Sequence, residues 1–177
     1  MKQKIFISVV LLSLLLMSFC CKDVFKDEEF TLIKAPYTGK EFKINGYYYN
    51  YYYDTARVRV FVFYNNSCVI KGFIRYTKDE FENMFRNGEF KNSIKENSSC
   101  WGLFNIDSNN IKIEHYYPME GDLKNRVYIN SGIIINDTTF IITKFMRPDG
   151  SELSTKNDTF HFKQFSSKPD STNNFIK

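Results

Sequence analysis

The sequence predicts an all-β domain: an antiparallel meander of about eight strands that closes, or nearly closes, into a barrel, with one short helix between early strands. Three observations predict it. Aromatic residues make up 18% of the chain, including 12 Tyr and 18 Phe, and flat rings suit a pleated, half-buried surface better than a helix. Apolar residues alternate with polar ones in short runs between Phe42 and Phe165, which is the period of a strand. Polar turn sequences separate those runs, among them Asn65-Asn66-Ser67, Asp107-Ser108-Asn109-Asn110, Asn136-Asp137 and Pro148-Asp149-Gly150. Neighbouring strands should therefore join as hairpins. A row of sequential strands leaves two edges, and closure removes both.

The elements follow in order. After Gly46, the run Tyr47–Tyr53 is too rich in β-formers for a loop or helix. Tyr47, Tyr49, Tyr51 and Tyr53 share one face, and Tyr48, Asn50 and Tyr52 share the other. The expectation is that the tyrosine row packs into the barrel with its hydroxyls at the rim. Asp54-Thr55 turns the chain into Ala56–Tyr64. There Val58, Val60 and Val62 lie on one face, while Arg57 and Arg59 share the other with Phe61 and Phe63. Cys68–Arg75 is the return strand. Thr77 and Glu80 have the spacing of a capping box, in which each side chain satisfies a free N–H of the first helical turn. Phe81, Met84 and Phe85 then fall on one helical face, and Asn87-Gly88 ends the helix. Residues 89–97 form a second short turn using Phe90 and Ile94. Strands resume at Trp101–Ile106, Ile111–Tyr116 and Arg126–Asn130. A bulge at Ser131-Gly132 leads into Gly132–Ile135, and Thr138–Arg147 and Asp158–Phe165 complete the set.

The N-terminus reads as an address. Lys2 and Lys4 precede an apolar stretch from Ile5 to Met17, the pattern of a secretory signal. The stretch is short of the roughly 20 apolar residues a membrane span needs. It ends at Cys20-Cys21, which looks like a bacterial lipobox. That resemblance implies acylation of Cys21, or of Cys20, with acyl chains anchoring the protein at about 0.8 kcal/mol per buried methylene. The acidic run Lys26-Asp27-Glu28-Glu29 is read as a surface-export signal or a solvated spacer. The expected organisation is a signal peptide over 1–20, an acidic and polar linker over 21–40, a barrel domain over 41–165 and a flexible polar tail over 166–177. The expected location is the outer membrane, on its periplasmic or surface face.

Trp101-Gly102-Leu103-Phe104-Asn105-Ile106, a polar turn and Ile111-Lys112-Ile113 resemble a recurrent unit of Bacteroidota lipocalin-like lipoproteins. The stretch from Gly132 to Phe140 is similar to their G-x-I-x-N-D-T-T-F hairpin. The resemblance spans about residues 42–165 and implies a small calycin-type barrel that binds ligands. The lipocalin opening G-x-W is absent, since Gly46 is followed by tyrosines.

Chemistry is sparse. There is no G-x-S-x-G, no H-E-x-x-H and no phosphate-cradling glycine loop, so neither catalysis nor a cofactor is expected. Of the two histidines, His115 shares the parity of Ile111 and Ile113, while His161 lies opposite Phe160 and Phe162. Opposite parities make a poor metal or base pair, and no metal is expected. The formal charge is +4. Loss of Lys2 and Lys4 leaves about +2, too little and too evenly spread for nucleic acid. Cys68 and Cys100 are either a disulfide, worth roughly 3 kcal/mol in an unstrained loop of this length, or two buried thiols.

The function expected is that of a membrane-anchored, non-catalytic binding module for an unknown envelope protein or glycan. The alternative is a carrier or sensor of a small apolar ligand, in a cavity lined by Val58, Val60, Ile113 and Phe160. Candidate ligand or partner residues are Tyr47, Tyr49, Tyr51 and Tyr53, with Trp101 and His115.

Overall fold

A computed structural model describes residues 26–176, apart from 54, 73, 90–93 and 119–122. The signal peptide, Cys20, Cys21 and Phe90 lie outside the described residues. Eight strands form a closed antiparallel barrel in sequence order. They are β1 (Gly46–Tyr51), β2 (Val58–Phe63), β3 (Cys68–Lys71), β4 (Trp101–Asp107), β5 (Asn110–Tyr117), β6 (Arg126–Asn136), β7 (Thr139–Met146) and β8 (Ser154–Gln164). β8 returns to pair with β1 through Tyr48↔Phe162 and Tyr49↔His161, so no edge is left. β6 is one continuous strand, and a register shift at Ser131/Gly132 marks the bulge within it.

Helix α1 (Lys78–Arg86) links β3 to β4. Its capping box forms as read: Glu80 N–H donates to Thr77 Oγ1, and Thr77 N–H donates to Glu80 Oε2 at 2.8 Å. Phe81, Met84 and Phe85 bury against the outside of the barrel, beside Tyr47, Val58, Val60 and Phe165. Trp101, Cys68 and Cys100 belong to this outer layer. Both cysteines are free thiols, the second of the two alternatives. Burial raises the Cys68 thiol and pushes Cys100 up to about 12.

The inside of the barrel is a separate core. Tyr48, Phe61, Phe63, Val69, Phe104, Ile111, Ile113, Ile134, Phe140, Ile142 and Phe160 all point into it. This corrects the expected facing of two strands. The pairing of residues into faces holds, but Val58 and Val60 face outward beneath α1, and Tyr47, Tyr49 and Tyr51 share that side. The reason is that α1 gives β1–β4 a second buried face, which takes the slim valines. The bulkier Phe61 and Phe63 fill the wider space within.

Residues 26–45 and 166–176 are laid on the barrel. At one end, Glu28 accepts from the Val127 N–H at 2.9 Å and from Arg147 Nη2 at 2.7 Å, and Asp27 accepts from the Asn125 N–H at 2.7 Å. Midway, the buried Glu114 carboxylate accepts from the N–H groups of Thr31 and Leu32, at 2.7 and 2.9 Å. At the other end Phe42 enters the barrel, stacking on Tyr48 at 4.1 Å and meeting Phe63 edge-on. Lys168 donates to the carbonyls of Ile44 and Phe63 beside it. Residues 26–45 thus form a strap that begins at one end of the barrel and plugs the other. In the C-terminal segment, Ile176 is buried and Phe175 packs against the outer layer.

Three carboxylates fasten strap and helix: Glu28, Glu114, and Glu82, which accepts from Tyr47 Oη at 2.5 Å and pairs with Lys163. Burial alone would raise these carboxyls. Hydrogen bonds from Arg147 and Val127 to Glu28, from Lys163 and Tyr47 to Glu82, and from Lys112, Thr31 and Leu32 to Glu114 outweigh it. Each is held below its usual 4.5. A carboxyl depressed on folding contributes stability that is fully present above its unfolded value and disappears as pH falls through the folded one. Strap release should therefore begin below about pH 4.5. It should appear as faster amide exchange at Thr31 and Leu32 before the barrel amides, and Glu114→Gln should give that fast exchange already at neutral pH.

Candidate functional site

The plugged half of the barrel is packed with rings: Phe63 touches Phe42, Tyr48, Phe104 and Phe140 at 4.9–6.0 Å between centroids. The other half is open. A cavity of about 280 Å³ lies there, at the end where β2, β3 and β5 through β8 present Arg59, Lys71, His115, Asn130, Phe145 and Asp158. Tyr52, Tyr53, Ile74 and Tyr117 form its rim, and Phe61, Ile142 and Phe160 its floor.

Strand parity sets these side chains inward, and each has a defined partner. Arg59 follows the parity of Phe61 and Phe63. Its Nη1 donates to Asp158 Oδ2 at 2.6 Å, and its Nε donates to Asn50 Oδ1 at 3.1 Å. Asn50 in turn donates to the Thr159 carbonyl. The guanidinium also lies 5.6 Å from the Phe160 ring. His115 is fully buried. Its Nδ1 faces the Tyr116 carbonyl at 2.9 Å, so Nδ1 carries the proton, and Nε2 accepts from Asn130 Nδ2 at 2.8 Å. Burial, with Lys71 adding to it, pushes the His115 pKa well below its usual value and keeps the ring neutral. Both ring nitrogens are engaged.

Lys71 follows the inward parity of Val69, paired with Phe61 across β2. Its side chain is half-buried, with its ammonium between the barrel walls. It lies 4.8 Å from the centre of the Tyr117 ring. Burial pulls its pKa down to about 8, and Arg59 contributes in the same direction.

The residues expected from sequence fall in two places. His115 and Tyr53 reach the mouth, Tyr53 at φ 49° and 80% exposed. Tyr47, Tyr49, Tyr51 and Trp101 do not. Tyr47 and Trp101 are buried in the outer layer, where Trp101 Nε1 donates to the Lys95 carbonyl at 2.9 Å. Tyr49 and Tyr51 continue the row along the outside, with centroids 5.7 Å apart. Arg59, Lys71, Asn130 and Asp158 are the residues that sequence reasoning missed. The signal was a charged or amide side chain on the same parity as large apolar neighbours, as with Arg59 beside Phe61. Among the described residues, no cluster of three His, Cys, Asp or Glu side chains could hold a metal.

Comparison of this chain with protein-family models, curated proteins and solved structures finds no match.

Proposed function

We propose that this chain is a lipid-anchored, non-catalytic binding module of a cell envelope, and that its binding site is the mouth of the barrel. The observation that carries this reading is the half-filled interior: one end is plugged by Phe42, and the other keeps a cavity of about 280 Å³ with polar groups converging on it. Ligand sites are concave and largely apolar, with a few placed polar groups, and usually start near 300 Å³. The engagement of both His115 nitrogens supports binding rather than proton transfer. The anchor rests on the signal-like N-terminus and Cys21, or Cys20, in the sequence.

A second reading, recognition of an envelope protein or glycan, has support at the rim. Tyr53 is 80% exposed, with Ile74 and Tyr117 beside the same opening. Flat amphipathic rings are common contact residues.

Native mass spectrometry of protein purified gently from its own envelope separates the two. A reproducible small added mass, lost on denaturation, is the expected result. A bare mass, together with a protein or glycan cross-linked through Tyr53, would replace the cavity reading with the rim reading.

A further inference from the structure

We propose that the mouth cavity takes a small organic anion, a carboxylate or phosphate monoester on an aromatic or short apolar body, with its negative charge placed against Lys71. This rests on the reading of the mouth as the binding site and adds the chemistry of its ligand.

The argument begins with charge. The ionisable groups lining the cavity are Arg59, Lys71, Lys156, His115 and Asp158, with the phenols of Tyr52, Tyr53 and Tyr117. His115 is neutral, and Asp158 is neutralised by Arg59 at 2.6 Å. Lys156 stands exposed at the rim. Lys71 is left as the inner charge. Among the described residues no carboxylate is paired with it; what it has is the face of Tyr117. A cation set between protein walls without a counter-charge is costly. Such groups concentrate where a ligand completes the pairing. The cost is visible in the lowered affinity of Lys71 for its own proton. An anion would reverse it, and a cation would meet two positive groups.

Shape gives the rest. The walls near Lys71 are rings and branched chains: Tyr117, Phe145, Phe160, Phe61 and Ile142. They suit a flat or short apolar body. At about 280 Å³ the space is at the small end of ligand cavities, which favours a single-ring acid over a long acyl chain.

Isothermal titration of the purified protein with a matched set tests this: benzoate and phenyl phosphate as anions, benzyl alcohol as the neutral form, benzylamine as the cation, and inorganic phosphate as the head alone. Benzoate or phenyl phosphate should bind at least about tenfold more tightly than benzyl alcohol, and benzylamine should not bind. Lys71→Met should weaken the anion by about tenfold while leaving benzyl alcohol within about twofold, and Lys71→Arg should restore most of the loss. Equal affinity for benzoate and benzyl alcohol would overturn the proposal, as would a Lys71→Met protein that binds benzoate normally. The ligand comparison needs only the unmodified protein, so it stands even if the Met variant does not fold. Inorganic phosphate binding as well as phenyl phosphate would overturn the organic body. A neutral or cationic adduct in native mass spectrometry would overturn the charge while leaving the mouth as a binding site; no adduct and no binding by any probe would overturn both.

Discussion

Gly102→Val should leave no closed barrel. A Cβ on Gly102 would stand 2.1 Å from the Glu114 carbonyl oxygen and 3.0 Å from the His115 Cβ. The obstacle is backbone of the paired strand, so no side chain can turn aside to relieve it. β4 and β5 would have to part at the Gly102↔His115 position, loosening ladder hydrogen bonds worth about 1 kcal/mol each and adding 1–3 kcal/mol or so of overpacking. The sum, about 4 kcal/mol or more, approaches the whole stability of a typical domain. Denaturant unfolding followed by near-ultraviolet circular dichroism should show a molecule without the native aromatic signal. Gly88→Asn is the control. A Cβ there meets nothing within 4 Å at φ +72°, and Asn tolerates that backbone, so its midpoint should move little. A Gly102→Val protein with a native spectrum and midpoint would contradict the strand spacing described above.

Phe63→Ala should be the most costly truncation in the interior. The ring is 1% exposed and is the hub on which Phe42, Tyr48, Phe104 and Phe140 converge. Loss of a buried Phe costs about 3–5 kcal/mol when neighbours cannot collapse into the space. Here the neighbours are rigid rings on four different chain segments, so collapse is limited. The effect should reach the strap, because Phe42 loses its edge-on partner. Urea unfolding should show a lower midpoint with an unchanged slope, and amide exchange should rise at residues 42–45. A loss below about 1 kcal/mol would mean that the plug is held from elsewhere.

Strand order, the turns and the capped helix were legible because each is written in local spacing. Thr77 and Glu80 lie three residues apart whatever the rest of the chain does. The sidedness of β1 and β2 was not legible for a physical reason. Both faces of these strands are buried, one by the interior and one by α1, so Val58-Arg59-Val60-Phe61 offers no apolar-to-polar contrast that names the inside. β5 has that contrast, and His115 could be placed on the interior from Ile111 and Ile113. The polar composition of the strap has the signature of a linker, while its role depends on Glu114, some 80 residues away. The mouth escaped for a similar reason. Arg59, Lys71, Asn130 and Asp158 come from four strands and become neighbours only when the sheet closes on itself.

The start of the strap has a consequence for how the molecule stands. Asp27 and Glu28 are fastened to Asn125, Val127 and Arg147, at the ends of β6 and β7 that border the opening, and Phe42 seals the far end. Cys21 precedes Lys26 by five residues, which span at most about 18 Å when fully stretched. If Cys21 carries acyl chains, the leash is short, and it leaves from beside the opening. Upright on such a leash, the molecule would hold its open end within a leash-length of the lipid headgroups and its sealed end outward. Cargo would then pass between cavity and bilayer surface over a short, confined path, and lengthening the leash by a dozen flexible residues would lose that coupling without altering the barrel.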